Sequence, residues 1–211
     1  MYQILSRAVA VLAFGLVLAS PARAETLKLI VFGDSLTAGY QLAPDEAYPA
    51  QLERALRARG HDVSVVNASV SGDTTSGGLS RLDWSVGEGG DAVIVELGAN
   101  DMLRGLPPET TRANLQAIVQ QLKAKGMEVL VAGMQAQRNL GEDYAAAYDP
   151  IFGEIARQEG ALFYPFFLEG VALDPALNLP DGMHPTGEGV SVIVEAMLPL
   201  VESLLERAAA H

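Results

Sequence analysis

The 211-residue chain is long enough for one domain with a sizeable core, and at 49% hydrophobic and 19% charged it is neither disordered nor fibrous in composition. Its 26 acidic residues outnumber 14 basic ones, a formal net charge of −12, which repels nucleic-acid phosphates and anionic lipid surfaces and sets both aside as partners. The absence of cysteine excludes disulfides, thiolate catalysis and cysteine-based zinc sites.

The chain opens with a basic residue, Arg7, then a short apolar run over residues 8–19 (AVAVLAFGLVLA), then Pro21 and the small-x-small triplet Ala22-Arg23-Ala24. This three-part pattern predicts a secretory signal peptide over residues 1–24, cleaved after Ala24. The run is shorter than the roughly 20 residues a membrane span needs. A single domain over residues 25–211 is expected, exported to a periplasm or secreted, without stable membrane insertion. Losing Arg7 and Arg23 leaves it at about −14.

Periodicity then alternates. Residues 28–32 (KLIVF) read as a strand. Residues 48–59 (YPAQLERALRAR) place apolar side chains at helical spacing and end on a basic turn followed by Gly60. Val63–Asn67 is the second strand and residues 92–97 (AVIVEL) the third. Residues 110–125 form a helix with Leu115, Ile118, Val119 and Leu122 on one face, closed by Gly126. Residues 129–132 are the fourth strand, residues 143–159 a helix closed by Gly160, Leu162–Tyr164 a short fifth strand, and residues 188–207 the last helix. Glycine after a helix takes the left-handed conformation cheaply. Strands apolar on both faces, separated by amphipathic helices, predict a parallel sheet covered on both sides, an α/β three-layer sandwich.

In such sheets ligands bind beyond the carboxyl ends of the strands. The segments after strands one to three are GDS (33–35), NASVSGDT (67–74) and GAND (98–101), all polar and glycine-containing, and all on that edge. A serine hydroxyl is a weak nucleophile unless a base takes its proton. Of three histidines, His211 ends the chain and His61 precedes a strand at the opposite edge. His184, in Asp181-Gly182-Met183-His184-Pro185, follows the last strand on the correct edge, with a carboxylate three residues before it. Asp181 can fix the His184 tautomer and His184 can activate Ser35. Acyl transfer also needs donors for a developing oxyanion. The backbone N–H of Ser35, the N–H of Gly72 and the side-chain amide of Asn100 are the candidates. Each residue alone also has an ordinary structural role, as a cap or a turn; their meeting at one edge is the argument.

These four segments resemble the sequence blocks of the SGNH (GDSL) hydrolase superfamily, in order, and most closely its secreted arylesterase, acyl-thioesterase and lysophospholipase branch. The stretch FFLEGVALDPALNLPDGMHP is similar to that branch as well. The resemblance implies a flavodoxin-like five-stranded sheet, Ser35 as nucleophile, His184 as base and acid, Asp181 orienting it, the same three oxyanion donors, and neither cofactor nor metal. The G-x-S-x-G elbow of lipases is absent, as the resemblance implies. Two segments depart from the family pattern. Met102 stands where relatives usually carry a small residue, and residues 133–141 lack the paired prolines that often follow strand four.

The expected reaction is hydrolysis of a small-molecule ester, thioester or lysolipid through an acyl-enzyme. Met102, Leu103, Leu106, Pro107 and Met134 are the expected walls of the acyl pocket. Competing readings are an acetyl-carbohydrate esterase, a metal-dependent phosphoesterase built on Asp34, Asp73, Asp101 and Asp181, and a non-catalytic binding domain on the same fold. Nothing in the sequence speaks to oligomeric state.

Overall fold

The computed structural model describes residues 26–210; the expected signal peptide and His211 lie outside them. Five strands, β1 (Leu27–Gly33), β2 (Val63–Asn67), β3 (Ala92–Glu96), β4 (Glu128–Ala132) and β5 (Leu162–Tyr164), form one sheet in the order β2-β1-β3-β4-β5. Every neighbouring pair is parallel. β3 is buried along its whole length and β1 from Leu29 onward, which is why both read as nearly unbroken apolar runs.

The helices are α1 (Ser35–Ala38), α2 (Tyr48–Ala58), α3 (Thr75–Val86), α4 (Ala99–Leu103), α5 (Pro108–Ala124), α6 (Glu142–Tyr148), α7 (Ile151–Glu159) and α8 (Gly187–Ala208). α2 packs beside α8 on one face of the sheet; α3, α5 and α7 pack side by side on the other. The α/β three-layer sandwich expected from periodicity is therefore the observed architecture.

Three details differ from the sequence reading. α3 was not anticipated, because Gly77 and Gly78 weaken the helical signal near its start. Packing requires them: a Cβ on Gly78 would strike Leu97, and one on Gly77 would strike the Asp73 carboxylate. The helix expected over residues 143–159 is two, α6 and α7, broken at Asp149-Pro150; proline lacks the N–H that would continue the ladder. α8 runs through Pro199 all the same, held by burial of Met197, Leu198, Val201, Leu204 and Leu205.

β1, β3 and β4 each stop abruptly at the same edge. Gly33 ends β1 where a Cβ would collide with the Thr37 hydroxyl and the Glu96 carbonyl. Gly98 follows β3 at φ +125°, a backbone region that favours glycine. These turns start α1 and α4 directly from the sheet and place Ser35 and Asn100 at its carboxyl edge.

Candidate active site

Ser35 is the first residue of α1. Asp34 caps that helix, its Oδ1 accepting the N–H of Leu36 at 3.0 Å. The cap expected at this turn is thus supplied by Asp34, which leaves the Ser35 side chain free to face outward. Its Oγ lies 2.9 Å from His184 Nε2.

His184 sits on a segment folded back on itself after β5. Thr186 N–H donates to the Leu177 carbonyl, Leu179 N–H to the His184 carbonyl at 2.7 Å, and Asn178 bridges Pro185. The Asn178 amide braces the preceding loop by donating to the carbonyls of Val171 and Asp174, both at 2.7 Å. Gly182, at φ +69°, makes the turn that returns the chain to Asp181. Asp181 Oδ1 accepts the N–H groups of Met183 and His184, and Oδ2 lies 2.7 Å from His184 Nδ1. Those backbone donors, with the imidazole, hold the Asp181 carboxyl down at about 2, so it is anionic at neutral pH. The Tyr40 ring lies against the His184 ring, centroids 4.4 Å apart. Ser35, His184 and Asp181 thus form one hydrogen-bonded chain.

Asn100 enters α4 from β3. Its Nδ2 donates one hydrogen to Asp34 Oδ2 at 2.9 Å and has a second to offer. Asn100 lines the same cavity as Ser35 and His184. Gly72 has φ +84°, and its carbonyl accepts from Arg104 Nη2 at 2.7 Å. Arg81 ties this loop to the Ser35 turn. Its guanidinium reaches the Asp73 carboxylate, the Ala68 carbonyl, the Ser85 hydroxyl and the Gly33 carbonyl, and lies over the Phe32 ring. Gly72 itself is not among the residues lining the cavity.

The cavity beside Ser35 has a volume of about 580 Å³, within the usual range for small-molecule sites, and is mostly apolar. Met102, Leu103 and Met134 line it, as expected from the sequence. Leu106 and Pro107 do not. After α4 the chain turns away at Gly105, the Leu106 carbonyl accepts from Tyr144 Oη, and Pro107 is exposed ahead of α5. The opposite wall, Phe166, Leu168, Ala172, Leu173 and Met183, escaped the sequence reading because it comes from the irregular segment after β5. Met102 Sδ accepts the Gln137 N–H at 3.2 Å, so the two segments that depart from the family pattern touch each other across the cavity wall.

Comparison with known proteins fits this geometry. A model of the GDSL-like lipase/acylhydrolase family matches residues 31–192. The chain belongs to that family. It is 40% identical to an arylesterase of Vibrio mimicus over 83% of this chain and 88% of that one. It is 37% identical to thioesterase 1/protease 1/lysophospholipase L1 of Escherichia coli over 87% and 86%. The crystal structure of AlinE4, an SGNH-hydrolase family esterase, superposes with a TM-score of 0.73 at 42% identity, covering 87% of this chain and 99% of that one.

Within this GDSL-family site the four aspartates do not assemble into one ligand set. Asp34 meets Leu36 and Asn100, Asp73 meets Arg81, Asp101 accepts from Thr75 and Thr111, and Asp181 meets His184. Among the described residues no three His, Cys, Asp or Glu side chains gather as metal ligands. His61 pairs with Glu202 at the far edge. Trp84, the one aromatic able to offer an indole face to a sugar, is 84% exposed on α3 and does not line the cavity.

Proposed function

We propose that the protein is a serine hydrolase of carboxylic esters and thioesters, of the arylesterase, thioesterase and lysophospholipase type, working through an acyl-enzyme. The observation that carries the reading is His184, bridging Ser35 Oγ at 2.9 Å and Asp181 Oδ2 at 2.7 Å at the mouth of an apolar cavity. His184 Nε2 takes the Ser35 proton as Oγ bonds to the substrate carbonyl carbon. The tetrahedral oxyanion is met by the N–H of Ser35, the N–H of Gly72 and the free hydrogen of the Asn100 amide. The carbon–oxygen or carbon–sulfur bond to the leaving group breaks, and His184 passes its proton to that alcohol or thiol. Water then attacks the acyl-serine by the same route and releases the acid. Asp181 stays ionised, fixes the imidazole tautomer and stabilises the imidazolium. No cofactor enters this scheme.

The cavity supports an apolar acyl group, with Met102 and Met134 as adaptable fillers. An acetyl-carbohydrate substrate finds less support, since the exposed tryptophan lies off the cavity. The N-terminal pattern supports export, to a periplasm or outside the cell, and no helix among the described residues is long and apolar enough to cross a membrane. Acidic surface charge argues against nucleic-acid partners.

The test is labelling of the purified protein with a fluorophosphonate probe, read by mass spectrometry, beside Ser35→Ala. A single adduct on Ser35, lost in the variant and insensitive to EDTA, is expected. A folded wild type that takes no adduct would overturn the reading.

A further inference from the structure

Two carboxyls lie buried beneath the nucleophile turn. Asp34 and Glu96 are both 0% exposed, and neither has an ion-pair partner among the described residues. Their donors are unequally shared. Asp34 has two good ones, the Leu36 N–H at 3.0 Å and the Asn100 amide at 2.9 Å. Glu96 Oε2 has the Asp34 N–H at a long 3.4 Å and the Thr37 hydroxyl at 3.3 Å. That hydroxyl has one hydrogen, and it lies closer to Ser69 Oγ, at 2.8 Å, whose own hydrogen points to the Val31 carbonyl. Glu96 Oε1 meets no conventional donor at all. A buried carboxylate with so few donors carries a large desolvation cost; a neutral acid beside an anionic neighbour carries far less.

We propose that Glu96 is a neutral carboxylic acid that donates its hydrogen to the Asp34 carboxylate, and is thereby the positioning residue for Asn100 and the Ser35 turn. The path is short. Glu96 holds Asp34; one Asp34 oxygen holds the first turn of α1, which carries Ser35, and the other holds the Asn100 amide aimed at the oxyanion. Burial and the Asp34 charge both push the Glu96 carboxyl well above the usual carboxylate range; burial also raises Asp34, to about 6, against the Leu36, Asn100 and Glu96 hydrogen bonds that favour its anion, so Asp34 is the anion of the pair at neutral pH. The other ionisable groups facing the pair are Tyr48 from α2 and Tyr148 from α6, whose hydroxyls burial pushes upward, and His184, which favours the anionic Asp34. The function of this pair in catalysis rests on the serine-hydrolase reading; its protonation does not.

Glu96→Gln keeps a donor for Asp34 and an acceptor for the Asp34 N–H without an ionisable proton. Glu96→Ala removes both. With an aryl ester near neutral pH, Glu96→Ala should lose about ten- to a hundredfold in kcat with KM little changed, and Glu96→Gln should recover most of that loss, the pattern of lost oxyanion alignment rather than lost binding. Chemical unfolding between pH 5 and 8 gives a second readout that needs no activity. An acid whose pKa is raised by folding contributes stability that is full below about pH 4.3 and is lost as pH rises toward the folded pKa. The unfolding constant of the wild type, divided by that of Glu96→Gln, should therefore rise with pH, by up to about tenfold per unit, until the folded pKa is passed. A flat ratio would overturn the neutral acid. Glu96→Gln as slow as a folded Glu96→Ala, or a fully active Glu96→Ala, would overturn the positioning role. If instead the serine-hydrolase reading fails, the wild type takes no fluorophosphonate adduct while the pH-dependent ratio still appears.

Discussion

Asp181 illustrates how a surface carboxylate can be held ionised. It accepts two backbone N–H groups and the imidazole within one four-residue turn, and its carboxyl is lowered to about 2 by those donors, not by burial. A depressed carboxyl contributes stability above its unfolded pKa and loses it as pH falls toward the folded value, here between about pH 4 and 2. Asp181→Asn should remove that acid-side contribution and, by releasing the wrong tautomer of His184, cost about 10³–10⁴ in kcat with KM little changed, measured on an aryl ester. The cavity wall gives a second outcome at this scale. Met102→Ala and Met134→Ala shorten buried side chains, and each should shift the kcat/KM profile toward longer acyl chains by about tenfold between the ends of a chain-length series. An unchanged profile would remove both residues from the acyl site. Ser35, Asn100, Asp181 and His184 were legible in sequence because polar residues stand out where apolar strands end. Glu96 was not, because it sits inside AVIVEL and reads as strand filler.

Helix α3 is the element that the sequence concealed and the site depends upon. It delivers Arg81 to a junction of three segments: the carbonyl of Gly33 at the end of β1, the carbonyl of Ala68 after β2, and Asp73 beside Gly72. A planar guanidinium with five donors can satisfy all of them; an ammonium cannot. Arg81→Lys should loosen the Gly72 loop, lower kcat more than it raises KM, and reduce unfolding free energy by about 1–3 kcal/mol, as expected when the charge stays but hydrogen bonds to buried acceptors are lost. Equilibrium unfolding alongside steady-state kinetics checks both. α6 and α7 teach the opposite lesson from α3: Pro150 was visible in the sequence, and periodicity on both sides of it disguised the break. Proline alone did not decide the matter, since α8 absorbs Pro199 through the burial of its neighbours.

Across the whole molecule, the sheet supplies rigidity and its carboxyl edge supplies chemistry. The parallel strands were readable from apolar runs and closing glycines, and the edge from the polar segments that follow β1, β2 and β3. The far wall of the cavity was not readable, because residues 165–186 carry no periodic pattern; their shape comes from tertiary hydrogen bonds such as those of Asn178. That segment also sets a schedule. Ser35 and His184 meet across 149 positions of sequence. During synthesis the serine emerges early and the imidazole near the end, so a nascent chain carries the proposed nucleophile for most of its elongation with no base to activate it. On the proposed mechanism, hydrolysis waits until the last strand and the return turn have joined the rest, which makes activity a report that the late segment has folded onto the early one.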